Sequence, residues 1–212
     1  MLLAFDTATP AVTVALFDGE RVVAERTMVD AMRHGELLAP EIAAVLDEAG
    51  LVRQDLTALA VGVGPGPFTG LRVGLVTART LASVLEIPVY GVCTLDVLAA
   101  AAVDDGTVAG PFHVATDARR KEVYWASYDA EGRRLDGPEV VKPATVATDG
   151  PVVGRGALLY PDAFPDARGP EHPSAAVLAR VVADERAELL DPEPLYLRRP
   201  DIAEPHKPKR VS

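Results

Sequence analysis

The chain reads as an α/β protein of two lobes that share one plan, the second lobe reduced. Three observations predict this. First, a meander of three short strand patterns opens the chain, and helical patterns follow it. Second, the order of strand, Asp loop and hairpin returns at an offset of 111 residues. Ala4, Asp6, Val12, Ala15 and Asp18 recur as Ala115, Asp117, Val123, Ala126 and Asp129, and Tyr128 stands for Phe17. Third, 49% of the residues are hydrophobic but only 5% aromatic, so the core is built from small aliphatic side chains.

The elements follow in order. Leu2 to Phe5 and Val12 to Phe17 read as strands, and Asp18-Gly19 turns the chain into a third at Arg21 to Arg26. Leu38, Ile42, Val45 and Ala49 share one face of a helix from Glu36 to Ala49, with Pro40 in its first turn and Gly50 ending it. A strand at Leu56 to Val61 feeds a glycine-rich loop, and a helix to Leu85 leaves it. Ile87 to Val92 is a short strand and Leu95 to Val103 a third helix. Beyond the repeated hairpin, Val140-Val141 and Val152 to Gly154 are short strand patterns. Ser174 caps a helix expected to run to Leu190, before Asp191-Pro192. These elements divide into a first lobe, 1–103, and a smaller second lobe, 104–212. Two lobes that each open with a hairpin meander and add helices describe the actin-like (ASKHA) architecture of sugar kinases and Hsp70.

Charge and cysteine count narrow the class. The net charge of −10 argues against a body that grips nucleic acid by itself. From Tyr196 on, Arg198, Arg199, Lys207, Lys209 and Arg210 face only Asp201 and Glu204, so the tail alone is basic. Cys93 is the single cysteine, which excludes an internal disulfide. The N-terminus has no basic region before its apolar run, and no run approaches the ~20 residues of a membrane span. A soluble, cytoplasmic protein is expected.

The stretch Gly62 to Gly74, GVGPGPFTGLRVG, carries the strongest local signal. Glycines bare the backbone where a strand turns into a helix, as they do around bound anions. Yet there is no Gly-Lys-Ser/Thr for a P-loop and no acidic strand end for a dinucleotide fold. Gly64, Gly66 and Gly70 remain as loop residues, with Arg72 the one strong anion donor. Actin-like ATPases hold phosphates between two hairpin loops rich in glycine. Here the loops are Asp6-Thr7-Ala8-Thr9-Pro10-Ala11 and Asp117-Ala118-Arg119-Arg120-Lys121-Glu122, without a glycine in either. Asp6, Thr7, Asp117 and Arg119 therefore read as remnants of a nucleotide site, the two aspartates capping local turns. Gly154-Arg155-Gly156-Ala157 reads as a turn. His34, His113, His172 and His206 have no second His, and no Cys, three or four residues away. Neither HExxH nor GxSxG occurs, which leaves a metalloprotease or a serine hydrolase without its machinery.

The helix after the loop is apolar on two faces. Leu71, Leu75, Ala78, Ala82 and Leu85 form one stripe, and Val73, Val76, Thr80 and Val84 another. One face belongs to its own sheet. The other fits either the rest of the fold or a second protein.

At this point the residues resemble a known family. Phe5-Asp6-Thr7, His34-Gly35-Glu36 through Leu38 to Pro40, Gly64-Pro65-Gly66 with Phe68 to Gly74, Gly91-Val92 with Thr94-Leu95, Asp117-Ala118-Arg119 with Glu122-Val123-Tyr124, and Pro194 to Arg198 carry the match. Together they are similar to the TsaB (YeaZ) family, accessory subunits in the formation of threonylcarbamoyladenosine in tRNA. The match spans nearly the whole chain. Gly35 and Pro67 stand where serine is commoner in that family. The resemblance implies a subunit without catalytic residues, a metal or a cofactor of its own. It implies binding through the first lobe to the catalytic paralogue TsaD, with the ATPase TsaE joining, ATP, ADP and metal belonging to those partners, and tRNA met through the complex. Homodimers through the same helices occur in the family. TsaD carries two metal-binding histidines four apart, and by alignment Thr94 and Leu98 hold those places here. The expected interface is Leu37, Leu38, Leu71, Leu75, Ala78 and Ala82. The alternative is a small actin-like ATPase or kinase acting alone, with Asp6 and Asp117 handling Mg–ATP.

Overall fold

The computed structural model describes residues 1–197. It contains two five-stranded sheets. The first is built from β1 (Leu2–Asp6), β2 (Ala11–Phe17), β3 (Val22–Val29), β4 (Ala58–Gly62) and β5 (Val89–Val92), in the order β3-β2-β1-β4-β5. The second contains β6 (Phe112–Asp117), β7 (Val123–Tyr128), β8 (Arg134–Val141), β9 (Val152–Val153) and β10 (Ala167–Arg168), in the order β8-β7-β6-β9-β10. In each sheet the first three strands form an antiparallel meander and the last two run parallel to the first. The two lobes therefore share one topology, that of the actin-like fold.

The repeat is real, but its offset is not constant. In the first hairpin Ala4 faces Ala15, whereas in the second Ala115 faces Trp125. The second loop is thus one residue shorter, and β7 aligns to β2 one position away from the sequence identities. A one-residue slip exchanges the two faces of a strand. The Ala15/Ala126 match was an accident of composition, while the strand order was not.

Among the described residues, five α-helices complete the fold: α1 (His34–Glu48), α2 (Phe68–Leu85), α3 (Thr94–Asp104), α4 (Arg155–Leu159) and α5 (Ala175–Ala183). Helices α1 and α2 cover one face of the first sheet with Leu38, Ile42, Val45, Leu71, Leu75, Ala78 and Ala82. Helix α3 lies between the sheets. Its Val97, Ala100 and Ala101 join the first sheet and α5, and its Leu95, Leu98 and Ala99 join the second. Every residue from Thr94 to Ala102 is buried, which is why this helix shows no polar stripe. Helix α4 packs on the far face of the second sheet with Trp125 and Phe164.

Several boundaries move. Helix α1 starts at His34, so Pro40 falls in its second turn, on the exposed side. The pair Val140-Val141 is the end of an eight-residue strand. Gly154-Arg155-Gly156-Ala157, expected as a turn, starts α4. Ser174 does cap α5, its Oγ accepting from the Val177 N–H at 3.2 Å. That helix stops at Ala183 rather than Leu190, because the chain turns through Glu185 at φ 50°. Leu190 then exchanges backbone hydrogen bonds of 2.8 Å with Gly91. The exposed edge of β5 is closed by this strap, which is a stronger use of the backbone than another helical turn. Helix α5, from the 104–212 segment, seats against the first sheet beside α3.

Candidate functional site

The glycine loop and the Asp6 loop meet at the head of the first sheet, where β1, β4 and α2 converge. Asp6 ends β1 and is fully buried. Its Oδ1 accepts from the Ala8 N–H at 2.7 Å and its Oδ2 from the Thr94 hydroxyl at 2.7 Å. Thr94 Oγ1 also accepts from the Gly64 N–H at 3.2 Å, so one side chain ties α3 to both loops. Burial raises the Asp6 pKa above the usual carboxylate range, against the pull of Ala8 and Thr94. Thr7 Oγ1 donates to the Gly70 carbonyl at 2.7 Å and accepts from the Gly74 N–H at 3.1 Å. His34 Nε2 donates to the Thr9 carbonyl across 2.7 Å.

These contacts explain the glycines. A Cβ at Gly62 would overlap the Asp6 carboxylate, and one at Gly66 would overlap the Ala8 carbonyl. A Cβ at Gly70 would lie 2.5 Å from the Thr7 carbonyl oxygen, and one at Gly74 2.5 Å from Thr7 Oγ1. The bare backbone is pressed against the chain's own residues 6–8. The groups facing Gly66 and Gly70 are carbonyl oxygens, which repel an anion. Arg72 does not serve this loop. Its guanidinium lies over the Phe68 ring, 4.8 Å from the ring centre, on the outward side of α2.

In the second lobe, Asp117 Oδ1 accepts from the Arg119 N–H at 2.8 Å, the turn-capping role expected of it. Arg119, Arg120 and Lys121 all hold φ near +60° (61°, 55° and 60°), a left-handed run that side chains disfavour. The glycine pair of α4 follows the pattern of the first lobe. Cβ atoms at Gly154 and Gly156 would come within 2.5 and 2.8 Å of the Ala115 backbone. The space where the two Asp loops face each other amounts to about 10 Å³. A larger cleft of about 200 Å³ opens beside it, lined by Thr9, Met32, His34, Thr69, Gly70 and Arg119 among others.

The expected interface residues need correction. Leu38, Leu71, Leu75, Ala78 and Ala82 are at most 9% exposed, all in the core beneath α1 and α2. Leu37 packs half-buried against the same core. The small residues of α2 permit close approach to its own sheet, not to a second protein. The outward face is the other stripe. Phe68, Val76 and Val84 are 43%, 59% and 70% exposed. Tyr196 stacks on Phe68 at 5.3 Å between ring centres and extends this face. Neither aromatic residue stood out in the sequence. The signal was there, because glycine and alanine recur every fourth residue on the inner stripe only. The arginines and lysines of the basic tail, from Arg198 on, lie outside the described residues.

Comparison with known proteins gives this geometry a family. A family model described as TsaD, tRNA N6-adenosine threonylcarbamoyltransferase, matches residues 23–162. The tRNA threonylcarbamoyladenosine biosynthesis protein TsaB of Escherichia coli K12 is 35% identical over 172 residues, 76% of this chain and 74% of that protein. The chain belongs to the TsaB family. An uncharacterized protein of Mycobacterium tuberculosis H37Rv is 45% identical over 205 residues, 94% of this chain and 92% of the relative. The crystal structure of YeaZ from Pseudomonas aeruginosa superposes with a TM-score of 0.78 at 31% identity, covering 92% of this chain and 99% of the other.

Within this TsaB-family chain, the two positions that the resemblance sets against a histidine pair have other occupations. Thr94 and Leu98 are both fully buried. The Thr94 hydroxyl is held between Asp6 and Gly64, and Leu98 is core beneath the second sheet. Among the described residues, no group of three or more His, Cys, Asp or Glu is placed to hold a metal ion. Burial pushes the Cys93 thiol up to about 12, which leaves it a core residue and not a nucleophile. Among the same residues no helix is long and apolar enough to cross a membrane.

Proposed function

We propose that this chain takes part in tRNA threonylcarbamoyladenosine biosynthesis as a non-catalytic scaffold for the catalytic paralogue TsaD. The family membership supports the pathway, and the outward stripe of α2 carries the finer reading. Phe68, Val76 and Val84 expose an apolar face on a helix whose inner face is already used. Tyr196 and Arg72 flank Phe68 and give the face the aromatic and cationic anchors common at interfaces.

In this reading the paralogue buries α2 and supplies the metal, and TsaE brings the ATPase activity. The chain holds no cofactor of its own and meets tRNA through the complex, in the cytoplasm. A homodimer through the same stripe would compete with TsaD for it. The loops that would serve a lone ATPase or kinase are closed on themselves: Asp6 is internally hydrogen-bonded and the space between the loops is about 10 Å³.

The decisive test is a double variant, Val76→Asp with Val84→Asp, in the full chain. It should fold normally, lose co-purification with TsaD, and lose stimulation of threonylcarbamoyl transfer by the mixture. Retained co-purification would place the interface elsewhere. Transfer catalysed by the isolated chain would overturn the non-catalytic assignment.

A further inference from the structure

Two residues that line the small space between the Asp loops each carry a buried polar atom without a partner among the described residues. Thr116, near the end of β6, is 4% exposed, and its Oγ1 is buried without a hydrogen-bond partner. His172, just before α5, also lines the space, and its Nδ1 is likewise buried and unpartnered. Ala8, Thr9 and Pro67 close it from the first lobe. Buried polar atoms in folded proteins are almost always satisfied, by protein or by ordered water. Two such residues on one small space therefore point to a shared ligand.

Size selects that ligand. The volume is about 10 Å³, and one water needs roughly 10–15 Å³ counted in this way. The chemistry agrees with the size. Burial lowers the His172 pKa, so the ring is neutral near neutral pH. Its Nε2 faces Glu171 Oε1 at 3.7 Å, which favours the proton on Nε2 and leaves Nδ1 as an acceptor. A water can donate to Nδ1 and accept from the Thr116 hydroxyl, with one hydrogen left for a third partner.

We propose that a single ordered water is built into this site, bridging Thr116 Oγ1 and His172 Nδ1. It occupies the position between the two loops where other actin-like proteins hold phosphates. The site is then a seam between the loops that a water completes. This inference does not depend on which protein covers α2.

Two measurements on the full chain test it. The first is Thr116→Val, which deletes the hydroxyl and keeps the shape. If the hydroxyl is a water ligand, the variant strands the water and lowers the melting midpoint, by about 2–4 °C for the loss of one ordinary hydrogen bond in a chain of this size. If the space is dry, the variant removes an unsatisfied buried group and the midpoint stays or rises, which overturns the proposal. The second is a crystal structure of the wild type at about 1.5 Å, with expected hydrogen-bond distances of roughly 2.6–3.1 Å. Density for one water within those distances of both atoms supports the assignment. An empty space, a metal ion with several short contacts, or either atom turned to a protein partner refutes it.

Discussion

Leu75 and Val76 are consecutive in α2 and lie on opposite sides of it. Leu75 is 3% exposed and sits in the core of the first lobe, whereas Val76 is 59% exposed. Truncating a leucine in such a core removes its transfer free energy and leaves a cavity, about 2–5 kcal/mol together. For a chain of roughly this length each kcal/mol moves the midpoint by about 2–4 °C. Leu75→Ala should therefore melt roughly 4–20 °C below the parent. Val76→Asp places a charge in water and should stay within about 0.5 kcal/mol. The assay is thermal unfolding of the three proteins at one concentration, followed by urea titration to check that the unfolding slope is unchanged. The binding readout should run the other way. Val76→Asp should weaken co-purification with TsaD strongly, and Leu75→Ala should retain it at temperatures where it is folded. If Val76→Asp unfolds as easily as Leu75→Ala, or if Leu75→Ala melts with the parent, the orientation of α2 argued above is wrong.

Two further predictions concern the head of the sheet and α1. Burial raises the Asp6 pKa, so the folded state holds this proton more tightly than the unfolded one. The resulting stabilisation is complete below the ordinary aspartate range and is lost as pH rises through the raised value. Asp6→Asn should remove that part of the pH dependence, leaving the contribution of Asp96, also raised by burial. Denaturant midpoints of both proteins from about pH 4 to 8 check this, and parallel profiles would refute it. The glycines should divide as sharply. Gly62→Ala would drive a methyl into the fixed Asp6 carboxylate and should cost about 3 kcal/mol or more. Gly35→Ala meets only Val73 Cγ2 at 3.9 Å and should gain about 0.4–1 kcal/mol in urea titrations.

How much of this was legible depended on whether the pattern was local. The strands of the first lobe, helices α1 to α3 and the Ser174 start of α5 follow from periodicity and capping residues within a short window, whereas α4, expected as a turn, did not. The hairpin that opens the second sheet was readable from the repeat, but its register was not, and β10 gave no sequence signal. One deleted loop residue moves every side chain to the other face, and Ala and Val fit either face. The end of α5 was invisible for a different reason. What stops it is the unpaired edge of β5 about 90 residues earlier in the chain, which captures Leu190. Both stripes of α2 were visible, yet sequence alone gave the outward role to the stripe that packs inward. Leucines are the stronger hydrophobic signal, and the stronger signal belongs to the core, where Leu71 and Leu75 are. The role of Thr94 was equally hidden, because its partners Asp6 and Gly64 are 88 and 30 residues away.

The glycine loop changes meaning once its neighbours are known. In a phosphate-binding loop, glycines clear space so that N–H groups converge on a ligand. Here the same clearance is taken by Asp6, Thr7 and Ala8, and three side-chain hydrogen bonds from Thr7 and Thr94 hold the loop and the start of α2 in place. That closure has a consequence for binding. An interface costs free energy when its elements must be ordered on contact. The first turns of α2 are tied down by these bonds, so Phe68 and its neighbours rise from a fixed start. In the proposed reading, the one closure both fills the phosphate position and fixes the start of the docking helix. The prediction that separates them is Thr7→Ala. It leaves every outward residue of α2 untouched but removes the hydroxyl that bridges Gly70 and Gly74. If pre-ordering matters, TsaD should bind this variant more weakly, and hydrogen exchange should be faster in the first turns of α2 while the far end is unchanged. If affinity is unaffected although exchange rises, the outward residues alone make the surface and the closed loop serves only the stability of the lobe.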